Sequence, residues 1–195
     1  MGEPLAGKVA WVAGVGEGTG DLLRGVGRAS ALLLAARGAR VLVSGPDERA
    51  LGACVGEIAH GGGQARHIVT GLRTPEDARA SVEAARERFG RLDLAVFACA
   101  GALEGVARAF DAARDGMQRG GRLVLIAEGG DERVPAFVEE VARVFAPRGM
   151  TCNAVLLGAA PVAIRTAEAE DVAELVLFLA GSAAEAISGA TLTLS

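Results

Sequence analysis

Tyrosine is absent from all 195 residues. Lysine is nearly absent: Lys8 stands alone, and the other basic residues are arginines scattered along the chain. Aromatic residues make up 4%, Trp11 is the sole tryptophan, and the net charge is −4. A nucleic-acid surface needs basic residues clustered and interleaved with stacking rings, so nucleic acid is not expected as a partner. Histidine occurs twice, and Cys54, Cys99 and Cys152 lie far apart without metal-ligand spacing. The cysteines read as reduced thiols of a cytosolic protein, and no metal site is expected. No apolar run reaches the roughly 18 residues that crossing a bilayer takes. Met1-Gly2-Glu3-Pro4 does not open with the basic segment and apolar stretch of a secretory signal. These absences point to a cytoplasmic protein with no membrane partner.

Hydrophobic residues, by contrast, reach 51%. That is ample for one buried core, and a chain of this length removes ~70% of its unfolded surface on folding. Short β-rich runs alternate with helical apolar spacing, the pattern of a parallel sheet wrapped by helices. Strands are expected near 8–13, 40–44, 66–69, 92–99, 121–127, 150–155 and 191–194. Helices are expected near 21–37, 47–60, 75–89, 104–118, 132–146 and 168–180. Thr74-Pro75-Glu76-Asp77 supplies a cap residue, a proline at the first helical position and acids in the first turn. Asp171, Val172, Leu175, Val176 and Leu179 carry the last helix's spacing. Gly90 and Gly149 stand at helix C-cap positions. The predicted fold is α/β: a three-layer, Rossmann-type, doubly wound parallel sheet of about seven strands, with helices on both faces, as a single domain over 1–195.

Gly7-Lys8-Val9-Ala10-Trp11-Val12-Ala13-Gly14 resembles the first strand and glycine turn of the short-chain dehydrogenase/reductases. Gly25-Val26-Gly27-Arg28-Ala29-Ser30-Ala31 resembles that family's first helix, and Gly38-Ala39-Arg40-Val41-Leu42-Val43-Ser44 its second strand. Arg88-Phe89-Gly90-Arg91-Leu92-Asp93 leads into the fourth strand, and Gly120-Gly121-Arg122-Leu123-Val124-Leu125-Ile126 is similar to the fifth. Ala146-Pro147-Arg148-Gly149-Met150-Thr151-Cys152-Asn153-Ala154-Val155 resembles the approach to the sixth strand. Ser188-Gly189-Ala190-Thr191-Leu192 resembles the seventh. In order, these pieces cover nearly the whole chain.

The resemblance implies a chemistry that this chain lacks. In the family, a tyrosine and a lysine four positions later on one helix exchange a proton with the substrate oxygen. Counted back from Gly149, the tyrosine position falls near Ala127 and the lysine position near Asp131. Ala127 is expected inside a strand, so a deletion is the economical reading: the front of the helix carrying the pair is missing. The family's substrate-binding serine at the end of the fifth strand is replaced by Ala127-Glu128. Its Asn-Asn-Ala-Gly turn is replaced by Phe97-Ala98-Cys99-Ala100-Gly101, and the substrate-covering stretch after Gly158 is short. No catalytic residue is assigned.

Gly14, Gly18 and Gly20 keep the family's G-x-x-x-G-x-G spacing, which lets backbone approach a pyrophosphate at a helix start. They read as a vestigial or weak NAD(P) loop. Gly25 and Gly27 repeat the last two glycines seven residues on, as an insertion would. Two readings stand. Either the helix starts at Gly20, and both later glycines weaken it by roughly 1 kcal/mol each, or it starts near Gly25 behind an overlong loop. Glu17 and Asp21 put carboxylates where phosphate charge would go. Ser44-Gly45-Pro46 carries no acid for a ribose hydroxyl, and Gly71 falls where the family has its adenine-contacting aspartate. Trp11 lies close enough to the turn for its fluorescence to report a bound dinucleotide.

Three other clusters bear weighing. His60 and His67 flank a glycine turn, as metal or acid–base groups or as solvated loop residues. Glu128, Asp131 and Glu132 could bind a cation or act as a base, or be solvated acids at a helix start. Cys99 could be a nucleophile, but no histidine is placed to activate it. The resemblance implies a non-catalytic subunit that pairs with a complete, NAD(P)-dependent relative in a hetero-oligomer, through the helix at 168–180 and the strand at 191–194. Precedent in the family includes enzymes acting on hydroxyacyl and oxoacyl thioesters. The alternatives are an isomerase, cyclase or lyase using the emptied cleft, or a dinucleotide-sensing regulatory module.

Overall fold

A computed structural model describes residues 4–16, 21–72, 74–98, 103–129, 131–158 and 169–194, with residues 21–24 and 104 described by backbone alone. Seven strands form one sheet: β1 (Val9–Ala13), β2 (Arg40–Gly45), β3 (Gln64–Val69), β4 (Leu94–Ala98), β5 (Arg122–Glu128), β6 (Thr151–Leu157) and β7 (Thr191–Leu194). Their spatial order is β3-β2-β1-β4-β5-β6-β7, with every neighbouring pair parallel. Six helices connect them: α1 (Asp21–Ala36), α2 (Glu48–His60), α3 (Pro75–Phe89), α4 (Leu103–Gly116), α5 (Arg133–Phe145) and α6 (Ala169–Ala180). Each expected element is present, with bounds within two residues of the expected ones.

Strand alternation divides the core in two. Ala10, Val12, Val41, Val43, Val96, Val124 and Ile126 face α1, α2 and α6. Trp11, Leu42, Ala95, Phe97, Leu123 and Leu125 face α3, α4 and α5. Because helices cover both faces, β1 and β4 are buried along their whole length. Trp11 meets Phe97 edge to face at 5.0 Å, and Phe97 meets Phe110 at 5.0 Å. Phe110 continues the chain of rings to Phe137 and Phe145.

The helix ends follow their local chemistry. Thr74 and Asp77 form a reciprocal box, in which the Thr74 hydroxyl accepts from the Asp77 N–H and the Asp77 carboxylate from the Thr74 N–H. Asp47 caps α2 by accepting from the N–H groups of Arg49 and Ala50. Gly90 ends α3 in the left-handed conformation. Gly149 instead caps a 3-10 turn, Ala146–Arg148, that prolongs α5. At the amino end of the sheet, the buried Asp93 accepts from the Val9 N–H and from Arg91, and Lys8 lies 3.8 Å away. The single lysine is thus part of a structural ion cluster at the sheet edge remote from the strand tips.

Candidate functional site

In a sheet wound this way, ligands lie in the crevice outside the carboxyl ends of the strands, where the strand order reverses. Here that point falls between β1 and β4. The β1 tip is Gly14 (φ +87°), where a Cβ would stand 1.8 Å from the Ala98 carbonyl oxygen. No side chain fits between the two strand ends. The next residues lean over β2: the N–H groups of Gly14 and Val15 both donate to the Ser44 carbonyl, at 2.9 and 3.1 Å. The Val15 carbonyl oxygen stands 2.3 Å from where a Cβ of Gly45 would be. Ser44 itself is buried, and its hydroxyl accepts from Trp11 Nε1 at 2.8 Å. That hydroxyl is engaged within the core and does not point out toward a ribose.

Of the three glycines expected to form the dinucleotide loop, Gly14 sits at this tip, while Gly18 and Gly20 lie outside the described residues. The two readings of the helix start are resolved. α1 begins at Asp21, so Gly25 and Gly27 are inside it. Both are there for contact. A Cβ on Gly27 would stand 3.1 Å from the Gly14 oxygen and 3.3 Å from the Val15 Cα. A Cβ on Gly25 would stand 3.3 Å from the Ala169 Cβ, the first residue of α6. Gly71 follows β3 as expected, and Leu72 beyond it adopts φ +51° and is buried toward α3 and α4.

The proton-transfer side matches the sequence expectation in its backbone. Ala127 lies in β5, paired with Leu156, and α5 starts only at Arg133. Between them, Glu128 closes the strand and the Gly129 N–H donates to the Leu157 oxygen, so the sheet ladder runs past the strand tip. Asp131 is committed locally. Its carboxylate accepts from the Arg133 N–H at 3.0 Å and from the Arg133 guanidinium at 2.7 and 2.9 Å, which holds its pKa down at about 2. A carboxylate so acidic is a poor general base near neutrality. Glu132 precedes α5 but makes no side-chain cap.

The other clusters are dispersed. His60 ends α2 and His67 lies exposed within the edge strand β3. Among the described residues, no group of three or more histidines, cysteines and acids is close enough to hold a metal. Cys54 and Cys152 are buried free thiols, and burial pushes their pKa values up to about 11 and about 12. Cys99 lies outside the described residues. Among those described, no helix is long and apolar enough to cross a membrane.

Gly45 is a contact residue that its local sequence does not mark as one. Its signal was the small residue at the end of a strand whose neighbour turns sharply, but which backbone would cross it could not be read locally.

Comparison with known proteins agrees with this geometry. A family model described as Enoyl-(Acyl carrier protein) reductase matches residues 22–126. The match takes in Gly25 and Gly27 and opens beyond Gly14, Gly18 and Gly20. The A-factor type gamma-butyrolactone 1'-reductase (1S-forming) of Streptomyces virginiae is 36% identical over 91 residues, 47% of this chain and 33% of that protein. The cyclohexanol dehydrogenase of Acinetobacter sp. (strain SE19) is 38% identical over 95 residues, 49% of this chain and 35% of that protein. The chain therefore spans about a third of the length of the curated relatives it matches. A dehydrogenase/reductase from Sinorhizobium meliloti 1021 superposes with a TM-score of 0.84 at 26% identity, covering 98% of this chain and 95% of that one. A short-chain dehydrogenase/reductase from Serratia marcescens BCRC 10948 superposes with a TM-score of 0.84 at 24% identity, covering 98% and 97%, and shows the shared fold. Since the family match runs over more than half of the 195 residues and the strand order is the one such a scaffold requires, the chain belongs to the short-chain dehydrogenase/reductase family.

Proposed function

We propose that this chain is a non-catalytic member of its family that pairs with and supports a complete, NAD(P)-dependent oxidoreductase. One observation carries the reading. The sequence contains no tyrosine, and the position where the family's phenol would fall, Ala127, is strand backbone. Relatives named as reductases and dehydrogenases share the scaffold, and the family normally binds NAD(P). Of the acids near the strand tips, Asp131 is tied to Arg133, which holds its pKa down at about 2, and Glu128 stands exposed at the end of β5.

The pairing surface on this reading is α6 with β7. β7 is the outer strand of the sheet, so among the described residues no strand pairs with one edge of its backbone. Phe178 on α6 is 43% exposed, a large ring open to a partner. The matching family description names an acyl-carrier-protein reductase, which favours a partner that acts on acyl thioesters. The test is isolation from the native cell under mild conditions. The expected result is recovery, in fixed stoichiometry, of a longer relative that carries the tyrosine–lysine pair. Recovery of the chain as a stable species by itself, with reductase turnover, would refute the proposal.

A further inference from the structure

We infer that the first six residues of α1, Asp21–Val26, stand where the pyrophosphate of a dinucleotide would have to lie, so that the glycine cradle at the β1 tip is closed to NAD(P) in this chain. The inference rests on family membership and on the geometry of α1, and it is independent of the pairing role.

A pyrophosphate at this point of a doubly wound sheet is held by the free N–H groups of a helix start beside the strand tip. One glycine of such a fingerprint serves a different purpose: it lets the helix pack closely on the strand. In this chain that contact belongs to Gly27, whose Cβ would stand 3.1 Å from the Gly14 oxygen. Yet α1 begins six residues earlier, at Asp21. At 1.5 Å per helical residue, the helix runs about 9 Å past its contact with the strand end.

This displacement carries the free donors of the helix away from the strand tip. A helix leaves its first four N–H groups free and uses the rest in its own ladder. Counted from the cap position, the described free groups are those of Asp21–Leu23, beyond the strand tip. The N–H groups of Gly25, Val26 and Gly27, nearest the tip, are taken up within the helix. The flank is filled as well, because Ala169 of α6 packs against Gly25. On the adenosine side, the Val15 carbonyl lies over Gly45, and the Ser44 hydroxyl is bonded to Trp11. The described residues do not fit the dinucleotide.

The sequence suggests how the cradle was closed. Joining Glu17 to Gly25 gives Gly14-Val15-Gly16-Glu17-Gly25-Val26-Gly27, which is again G-x-x-x-G-x-G. In that register the last glycine is the one that touches Gly14. Gly18–Arg24 thus read as a seven-residue insert ahead of Gly25, and the described part of it, Asp21–Arg24, is helix.

The experiment compares the full chain with a variant lacking Gly18–Arg24. Each is titrated with NADH and with NADPH, read by energy transfer from Trp11 to the bound dihydronicotinamide and by calorimetry. The full chain is expected to show no saturable binding up to about 1 mM, and the deletion variant to bind at least ~10-fold more tightly. If the deletion variant loses its circular-dichroism signal, Arg24→Pro in the full-length chain decides. A proline there cannot continue the helix upstream, and it leaves the N–H groups of Gly25 and Val26 free. Binding by the full chain as tight as that of the variant overturns the inference. So does a folded variant that binds no better. Binding gained without turnover leaves the subunit role standing, while turnover gained would overturn that role and not this inference.

Discussion

Cys54 and Cys152 show how far burial alone sets chemistry. Desolvation dominates both, and for Cys54 the opposing charge of Arg28 offsets it only in part. At pH 8 a thiol with a pKa of about 11 is ionised to about one part in a thousand, so it hardly reacts. The expected outcome of a brief iodoacetamide pulse at pH 8, read by peptide mapping, is no label on either residue in the folded chain and full label in denaturant. Labelling of Cys152 at the rate of a free thiol would contradict its burial. The same shift has a sign for stability. A thiol whose folded pKa is raised favours the folded state below its unfolded value near 9, and that contribution is lost as pH climbs toward 11 and 12. Alkaline unfolding in that window, followed by circular dichroism, is the expected result.

Among the elements, the helices differ in what holds their ends. α3 depends on the reciprocal Thr74–Asp77 box, with Pro75 as its first residue. Thr74→Ala leaves the Asp77 N–H without its acceptor and should cost about 1 kcal/mol in chemical denaturation, whereas Thr74→Ser should cost far less. An unchanged midpoint for the alanine variant would show the box to be irrelevant. α1 has the opposite problem. Two glycines inside it lower its intrinsic propensity, and packing against β1 and α6 compensates. α5, which starts at Arg133, keeps a buried face of Val134, Val138, Ala142 and Phe145 against the core.

For the whole molecule, a seven-stranded parallel sheet carries two core layers and presents its strand tips along one edge. Both core layers are continuous, while the strand tips offer a carbonyl over Gly45 and a carboxylate neutralised by Arg133. The isolated chain is expected to show no NAD(P)H-dependent turnover with ketone or thioester substrates. It is also expected to self-associate in sedimentation measurements, since among the described residues no strand pairs with the outer edge of β7 and the Phe178 ring is exposed. Phe178→Glu should shift that distribution toward monomer without changing the far-ultraviolet spectrum. A monodisperse monomer in the unaltered chain would argue against α6 and β7 as an interface.

Most of the fold was legible because parallel strands covered on both faces read as unbroken apolar runs, as in Leu94–Ala98 and Val9–Ala13. The edge strand β3, mostly exposed, begins two residues earlier than its apolar pattern suggests, since its register is set by pairing Gln64 with Arg40. Composition also settled the missing phenol, because a residue type that occurs nowhere cannot be supplied by any folding of the chain. What local sequence left open was where α1 starts and why it tolerates Gly25 and Gly27. Propensity penalises both, and the compensating contacts come from Gly14, Val15 and Ala169, distant in sequence and brought together by the sheet order and by α6. Close approach between backbones is a property of assembled elements, so which glycines act as contacts and which as a ligand loop becomes visible only after β1, β4 and the two helices have packed.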